Sequence, residues 1–347
     1  MERYIAVDSG KSSTKVATYD VQKNKVEKFK FLTKIGEGNF DDDAIENCTY
    51  IMGYEGCNYK VGYGAKTEAE METSKQTIVH KISTLLAIAM KCSDEEVDEV
   101  HAAIGIPVKD YENVEKRNAY RNFILPDGEL SVTLKLSSDA APVTRKFKIV
   151  SKHVYPETKG ALFIEDEIDL GVVAVIDIGH LNVNQTVYQN LDIDHAYSLT
   201  DVLGGNNLVT GLSQELSSAF SLCDEKTIAR VLTKPYNERY LKPNKPNPDV
   251  EKRSKDMIDK YMIAHVKEIK KKCDSKRWPI DYMTLIFIGG TSTLLKKEIR
   301  EVFGDNVIIP KEPEYANVLG FLRIMCAKLL DKQIPLYEKD KEKVPEK

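Results

Sequence analysis

Two short stretches of this chain end an apolar run with a carboxylate and a glycine. Asp8-Ser9-Gly10 follows Ile5-Ala6-Val7, and Asp177-Ile178-Gly179 follows Val175-Ile176. In such a turn the glycine lets the backbone approach a phosphate closely, and nearby N–H groups point at its oxygens. The carboxylate cannot touch the phosphate itself, because two like charges about 4 Å apart repel by roughly 4 kcal/mol at an effective dielectric of about 20. A cation or its waters must stand between them, which implies a nucleotide carried with Mg²⁺. Beyond the first turn, Lys11, Ser12, Ser13, Thr14 and Lys15 offer hydroxyls, N–H groups and an ammonium that could clamp β- and γ-phosphates. A lysine placed like Lys15 is ordinarily a solvent-facing strand residue; the second turn tips the balance toward a clamp.

Two further glycine turns join these. Gly289-Gly290-Thr291-Ser292 follows the apolar Thr284-Leu285-Ile286-Phe287-Ile288 and opens a helical stretch, where an adenosine or its phosphates could sit. Leu203-Gly204-Gly205-Asn206-Asn207 opens another. Each alone is an ordinary loop; the four together form a candidate nucleotide-binding set. His180 and Asn182 are included because they flank the second turn, although a histidine in that place is more often a packing or surface residue and has no catalytic role here. No GxxxxGK[ST] occurs and no GxGxxG follows a strand, which disfavours Walker-type and dinucleotide sites.

The elements that must hold these turns follow from periodicity. Short apolar runs predict strands over 4–7, 15–19, 25–31, 100–106, 172–176, 184–188 and 284–288. Helical period predicts helices over 75–91, 114–123, 206–222, 256–273, 294–303 and 316–330. The fold class is α/β. The two Asp-x-Gly turns lie almost half a chain length apart, each after a strand, so the chain reads as two related lobes. Segment 36–47, with Asp41-Asp42-Asp43, reads as a solvated acidic loop, its carboxylates being consecutive rather than spaced for a metal. Segment 234–255 carries Pro235, Pro243, Pro246 and Pro248 among many charges and reads as an exposed connector or a mobile insertion. The charged tail 338–347 is expected to be disordered.

Composition bounds the partners. The 347 residues carry 50 Lys+Arg against 54 Asp+Glu, a formal net charge of −4, which disfavours a direct grip on DNA. No apolar run approaches the roughly 20 residues of a membrane span, and the N-terminal run stops at Asp8 without the pattern of a secretory signal. The six cysteines show no CxxC pair and no histidine at ligand spacing, the pattern of reduced cytosolic thiols.

The order Asp8-Ser9-Gly10-Lys11-Ser12-Ser13-Thr14-Lys15, then Asp177-Ile178-Gly179, then Gly289-Gly290-Thr291 resembles the phosphate 1, phosphate 2 and adenosine motifs of the actin, heat-shock chaperone and sugar-kinase superfamily. The likeness is strongest to the bacterial actin-like plasmid-segregation ATPases of the ParM type. Gly105-Ile106-Pro107-Val108 is similar to that family's strand–proline segment. Val154-Tyr155-Pro156-Glu157 and Tyr315-Ala316-Asn317-Val318-Leu319-Gly320-Phe321 are similar to its two connecting segments. The resemblance runs from Arg3 to about Leu330. Two departures stand out: Lys11 where relatives often carry Ser or Gly, and no third glycine after Gly290.

The resemblance implies two related actin-like lobes, ribonuclease H-like duplicated domains, around a nucleotide cleft. Lobe I would comprise 1–165 and 316–347 with a smaller subdomain over about 32–80; lobe II would comprise 166–315 with an inserted subdomain over about 206–275. The nucleotide would be ATP, with GTP as the alternative, carried with Mg²⁺. Asp8 and Asp177 would hold the metal through water and Glu157 would orient the attacking water. For Glu157 an equally weighted alternative is an ordinary acid in the first turn of a helix behind Pro156. The implied activity is that of a cytoplasmic ATPase that polymerises with itself and segregates plasmid DNA through a DNA-binding adaptor protein at a centromere-like site, touching neither nucleic acid nor membrane directly. The competing functions are a small-molecule kinase of the same superfamily and a nucleotide-switched chaperone or activating factor.

Overall fold

The computed structural model describes residues 1–42, 45, 48–68, 75–165, 168–221 and 223–337. They form two compact units, one made of Met1–Ile164 with the chain from Asn317 onward, the other of Glu165–Ala316.

In the first unit β1 (Glu2–Ser9), β2 (Ser13–Asp20) and β3 (Lys25–Leu32) make an antiparallel meander. β4 (Lys34–Glu37), β5 (Thr49–Tyr54), β6 (Cys57–Gly62) and β7 (Thr67–Glu68) follow, and then α1 (Ile78–Ala89) crosses over to β8 (Val97–Ile106), which lies parallel to β1. α2 (Val108–Tyr111) and α3 (Val114–Ile124) lead to β9 (Glu129–Lys135) and β10 (Val143–Pro156), the latter parallel to β8. The ten-stranded sheet has the order β3-β2-β1-β8-β10-β9-β5-β6-β4-β7. Ile5, Val7, Val16, Leu85, Leu86, Val100 and Phe147 meet in its core. β1 is buried from Tyr4 to Ser9, and a strand covered on both faces reads as a continuous apolar run rather than an alternating one.

The second unit opens the same way. β11 (Val172–Ile178), β12 (Val183–Gln189) and β13 (Asp192–Asp201) are antiparallel; α4 (Gly205–Phe220), α5 (Glu225–Leu232) and α6 (Pro248–Ser275) then cross over to β14 (Thr284–Ile288), parallel to β11. α7 (Gly290–Leu294) and α8 (Lys296–Phe303) follow, and α9 (Ala316–Leu330) carries the chain back into the first unit. The order β13-β12-β11-β14 repeats β3-β2-β1-β8, a meander whose first strand takes a parallel partner on its free edge. The inferred duplication is therefore present in the topology.

All seven expected strands and all six expected helical stretches fall on observed elements. Three expectations need correction. The 294–303 stretch is two helices that break at Leu295. Segment 234–255 is not merely a connector. Arg239 is buried and its guanidinium donates to the carbonyl of Leu294 at 2.9 Å, while α6 begins within the segment at Pro248. Proline at a first helical position forfeits no hydrogen bond, and Asn247 caps the helix by accepting from the Val250 N–H; the prolines misled because two of their meanings look alike in sequence. Segment 36–47 is tied down too: Asp42 pairs with Lys60, and the Lys135 ammonium donates to the carbonyls of Phe40 and Asp42 at 2.8 and 3.2 Å. Asp43 and the tail 338–347 lie outside the described residues.

α9 meets the 3₁₀ turn Lys159–Phe163 at two glycines. A Cβ on Gly320 would lie 2.0 Å from the carbonyl oxygen of Gly160, and one on Gly160 would lie 2.2 Å from that of Asn317. Gly320→Ala is expected to lower the urea unfolding midpoint. Overpacking costs about 1–3 kcal/mol or more, against roughly 1 kcal/mol of helix propensity regained. An unchanged or raised midpoint would contradict the close approach.

Candidate functional site

In the first unit the β1–β2 hairpin sets Asp8 opposite Lys15. The Gly10 N–H donates to the carbonyls of Asp8 and Ser13 at 3.0 and 3.1 Å, closing the turn. A Cβ on Gly10 would stand 2.9 Å from the Ser13 oxygen, too close for the turn to keep its shape, and 3.5 Å from Lys15 Nζ, an ordinary contact that places the ammonium beside the turn. Lys11, Ser12 and Ser13 are half-buried at the rim. Thr14 is not presented there: it is fully buried, and its hydroxyl shares hydrogen bonds with those of Ser9 (3.2 Å) and Thr33 (2.9 Å).

Glu157 lies just beyond β10. Its N–H extends the ladder to the carbonyl of Ile106 at 2.8 Å, and Thr158 after it has a φ of 78°. The strand runs through Pro156, and the turn that follows is 3₁₀, so the explanation of Glu157 as a first-turn acid of a connecting α-helix fails. The carboxylate instead meets Lys75, whose Nζ is 2.6 Å from Glu157 Oε1 and 3.0 Å from Asp8 Oδ1, with a side chain 6% exposed. Sequence inspection missed Lys75. It stands ahead of the Thr77 cap of α1 with no spacing to link it to Asp8.

Burial alone would raise the Asp8 pKa, but the charges of Lys75 and then Lys15 overcome it and hold the carboxyl below its ordinary value. For Lys75, burial pulls downward, and Asp8 and Glu157 more than reverse it, leaving the ammonium well above the usual lysine range. The phenol of Tyr120 donates to the carbonyl of Gly105 at 2.9 Å, and burial pushes its pKa up.

In the second unit three glycine turns interlock. The Gly179 N–H donates to the carbonyl of Asn182 at 2.9 Å; Gly204, Gly205 and Asn206 donate to the carbonyls of Leu181, Gly179 and His180 at 3.3, 2.9 and 2.7 Å. The Thr291 hydroxyl donates to the carbonyl of Gly179 at 2.9 Å. Gly289 has a φ of 91°, and a Cβ there would lie 2.4 Å from Asp177 Oδ1. One on Gly205 would lie 2.5 Å from Thr291 Oγ1. Asp177, Gly179, His180, Asn182, Gly204, Gly205, Asn206, Gly289 and Thr291 therefore form one knot. Gly290 differs, since a Cβ on it would meet nothing within 4 Å. The fold does not demand glycine there, whereas a ligand approaching the backbone would.

Residues 6–160 match the family model for the N-terminal domain of actin-like proteins. This is the actin-like fold. A filament structure of Alp12 is similar over 94% of this chain and 99% of that chain, with 24% identity and a TM-score of 0.71. Bacillus thuringiensis ParM with ATP is similar over 95% and 99%, with 17% identity and a TM-score of 0.67. A subunit of a 15-stranded ParM filament from Clostridium botulinum is similar over 93% and 99%, with 17% identity and a TM-score of 0.68. No curated protein matches the sequence. Among the described residues no helix of this actin-like chain is long and apolar enough to cross a membrane.

His80, on the first turn of α1, is fully buried with Nδ1 2.7 Å from the Thr77 hydroxyl. Burial, and then the charges of Lys75 and Lys11, push its pKa from 6.5 down to about 3. Between those values the unfolded chain takes up a proton here that the folded chain refuses, so stability falls as pH is lowered through that window. The depressed carboxyl of Asp8 acts in the same sense. Its contribution is present above the ordinary carboxylate range and is lost as pH drops through the folded value. Thermal unfolding from pH 7 to pH 4 is expected to show this decline, and His80→Gln should flatten it. Parallel curves for the two proteins would contradict the assignment.

Proposed function

We propose that the chain is an actin-like ATPase that assembles into filaments in the cytoplasm and moves plasmid DNA through an adaptor protein bound at a centromere-like site. The observation that carries the ATPase step is the buried line Asp8–Lys75–Glu157 on an actin-like fold. Support for nucleotide and assembly comes from the fold neighbours, one of which carries ATP while two are filaments. Support for the plasmid and adaptor step is the ParM-type motif order together with the net charge of −4, which disfavours direct DNA contact.

The donor set suits Mg²⁺. Among the described residues no group of three or more His, Cys, Asp and Glu is placed to cage a metal, and Mg²⁺ keeps its waters, taking one or two carboxylates plus substrate phosphates. Asp8 and Asp177 would hold it through water. Bound there, the ion would neutralise charge developing on the phosphates. The Gly10 turn with Lys15, Ser12 and Ser13 would seat phosphate oxygens, and the turns at Gly179 and Gly290 would serve the same ATP, with GTP as the alternative. Glu157 would accept a proton from water as the water oxygen bonds to the terminal phosphorus. The bond to the bridging oxygen breaks, and its electron pair leaves with the nucleoside diphosphate. Lys75 would fix the orientation of that carboxylate.

Glu157→Ala is expected to slow ATP hydrolysis by about 10²–10⁴-fold with ATP affinity nearly unchanged. Lys75→Ala should cost about 10²-fold through lost positioning. Wild-type rates in both variants would remove the hydrolytic role of this line. Light scattering and pelleting test assembly: Mg-ATP is expected to drive the protein into the pellet and hydrolysis to return it to solution. A chain that stays monomeric with Mg-ATP at concentrations well above those of a typical assembly contact is not a filament protein.

A further inference from the structure

The proline-bearing stretch 234–255 builds one wall of a second pocket. Leu241, Tyr240 and Lys242 face the end of α4 and the C-terminal half of α5 across a cavity of about 440 Å³ that also takes in Phe220, Arg230 and Lys234. That volume lies within the range of ligand and side-chain pockets. The lining mixes apolar and aromatic side chains such as Phe220, Val231 and Leu241 with polar ones such as Thr227, and every lining side chain charged at neutral pH is a cation, in a chain whose net charge is −4.

Among the described residues no salt bridge ties Arg230, Lys234 or Lys242, although the Asp224 carboxyl, held low first by the Thr227 N–H, also feels the charge of Arg230. Arg230 donates to the hydroxyl of Thr227 and the carbonyl of Lys226 at 3.3 and 3.4 Å, and Lys242 Nζ lies 5.7 Å from the Tyr240 ring centre. Neither contact is an ion pair. The guanidinium of Arg253 stacks 5.2 Å from the Phe220 ring and adds positive potential behind the aromatic wall. The pocket is separate from the glycine turns: the sixteen residues of α4 set Phe220 roughly 22 Å along the helix from Gly205.

We infer that this pocket docks an acidic peptide segment of a partner protein, a bulky apolar side chain entering the cavity and flanking carboxylates pairing with Arg230, Lys234 and Lys242. Charge complementarity selects the occupant. A nucleic acid would want a longer basic track than three cations around one hole, and a neutral apolar ligand would leave those cations without purpose. Anchoring by one buried side chain with a charged rim is a recurring mode of peptide recognition. The inference does not depend on nucleotide binding.

The test is selection from a random peptide library on the full-length chain, followed by calorimetry of the enriched peptides against wild type and against the triple variant Arg230→Glu, Lys234→Glu, Lys242→Glu. Enriched peptides are expected to be net acidic around a Trp, Phe or Leu, to weaken as salt is raised, and to lose at least about tenfold in affinity on the triple variant. Arg230 and Lys242 are exposed and Lys234 is half-buried, so the variant is expected to melt close to wild type. Should it not, the reciprocal arm decides: replacing Leu241 by Asp, which removes the apolar wall of the anchor site and places a carboxylate beside the unaltered cations, must also abolish binding. No enrichment, enrichment without acidic bias, or equal affinity for wild type and the triple variant would overturn the inference.

Discussion

An ammonium buried between two carboxylates holds the first unit's site together. Lys75 joins the end of β1, the segment ahead of α1 and the residue after β10 through Asp8 and Glu157. Buried charges survive only when paired, and taking away one partner leaves the others uncompensated. The line therefore constrains three chain segments at once, at the C-terminal ends of the parallel strands β1, β8 and β10 where ligands gather in α/β sheets. It also leaves an excess of one negative charge, which Lys15 across the hairpin offsets.

The second unit solves the same local problem with backbone instead of an ammonium. Its three turns are held by N–H donors to the carbonyls of Gly179, His180 and Leu181, and by the Thr291 hydroxyl. Side chains at Gly204, Gly205 or Gly289 would collide with the neighbouring turn, so these glycines are required by packing whether or not a ligand is present. Among the glycines of these turns, Gly290 has open space. Two units with one strand order thus present unlike surfaces, one carrying charged side chains and the other backbone.

The stretch from Lys234 to Pro248 shows where composition stops being informative. Prolines and charges suggested exposure, which Pro235 and residues 242–249 show, yet Arg239 is buried, and the ammoniums of Lys255 and Lys297 stand 4.0 and 3.8 Å from the ring centre of Tyr236. A charged side chain with a long apolar stem can cover a surface as well as a leucine can. Hydropathy does not distinguish that from solvation. β9, by contrast, carries Leu130, Val132 and Leu134 at strict alternation, a half-buried strand's own signature, which the expected strands do not include.

Local rules were enough for the turns. An apolar run, a carboxylate and a glycine within a few residues of one another determine a tight hairpin, because strand propensity and the conformational freedom of glycine act over that distance, and their recurrence half a chain away announced the duplicated topology. Lys75 and Glu157 are another matter. Their meeting depends on the parallel register of β8 with β10 and on the crossover through α1, contacts between residues far apart in the chain. A pairing set by long-range register leaves no local pattern, so only the folded chain could decide which lysine stands between which acids.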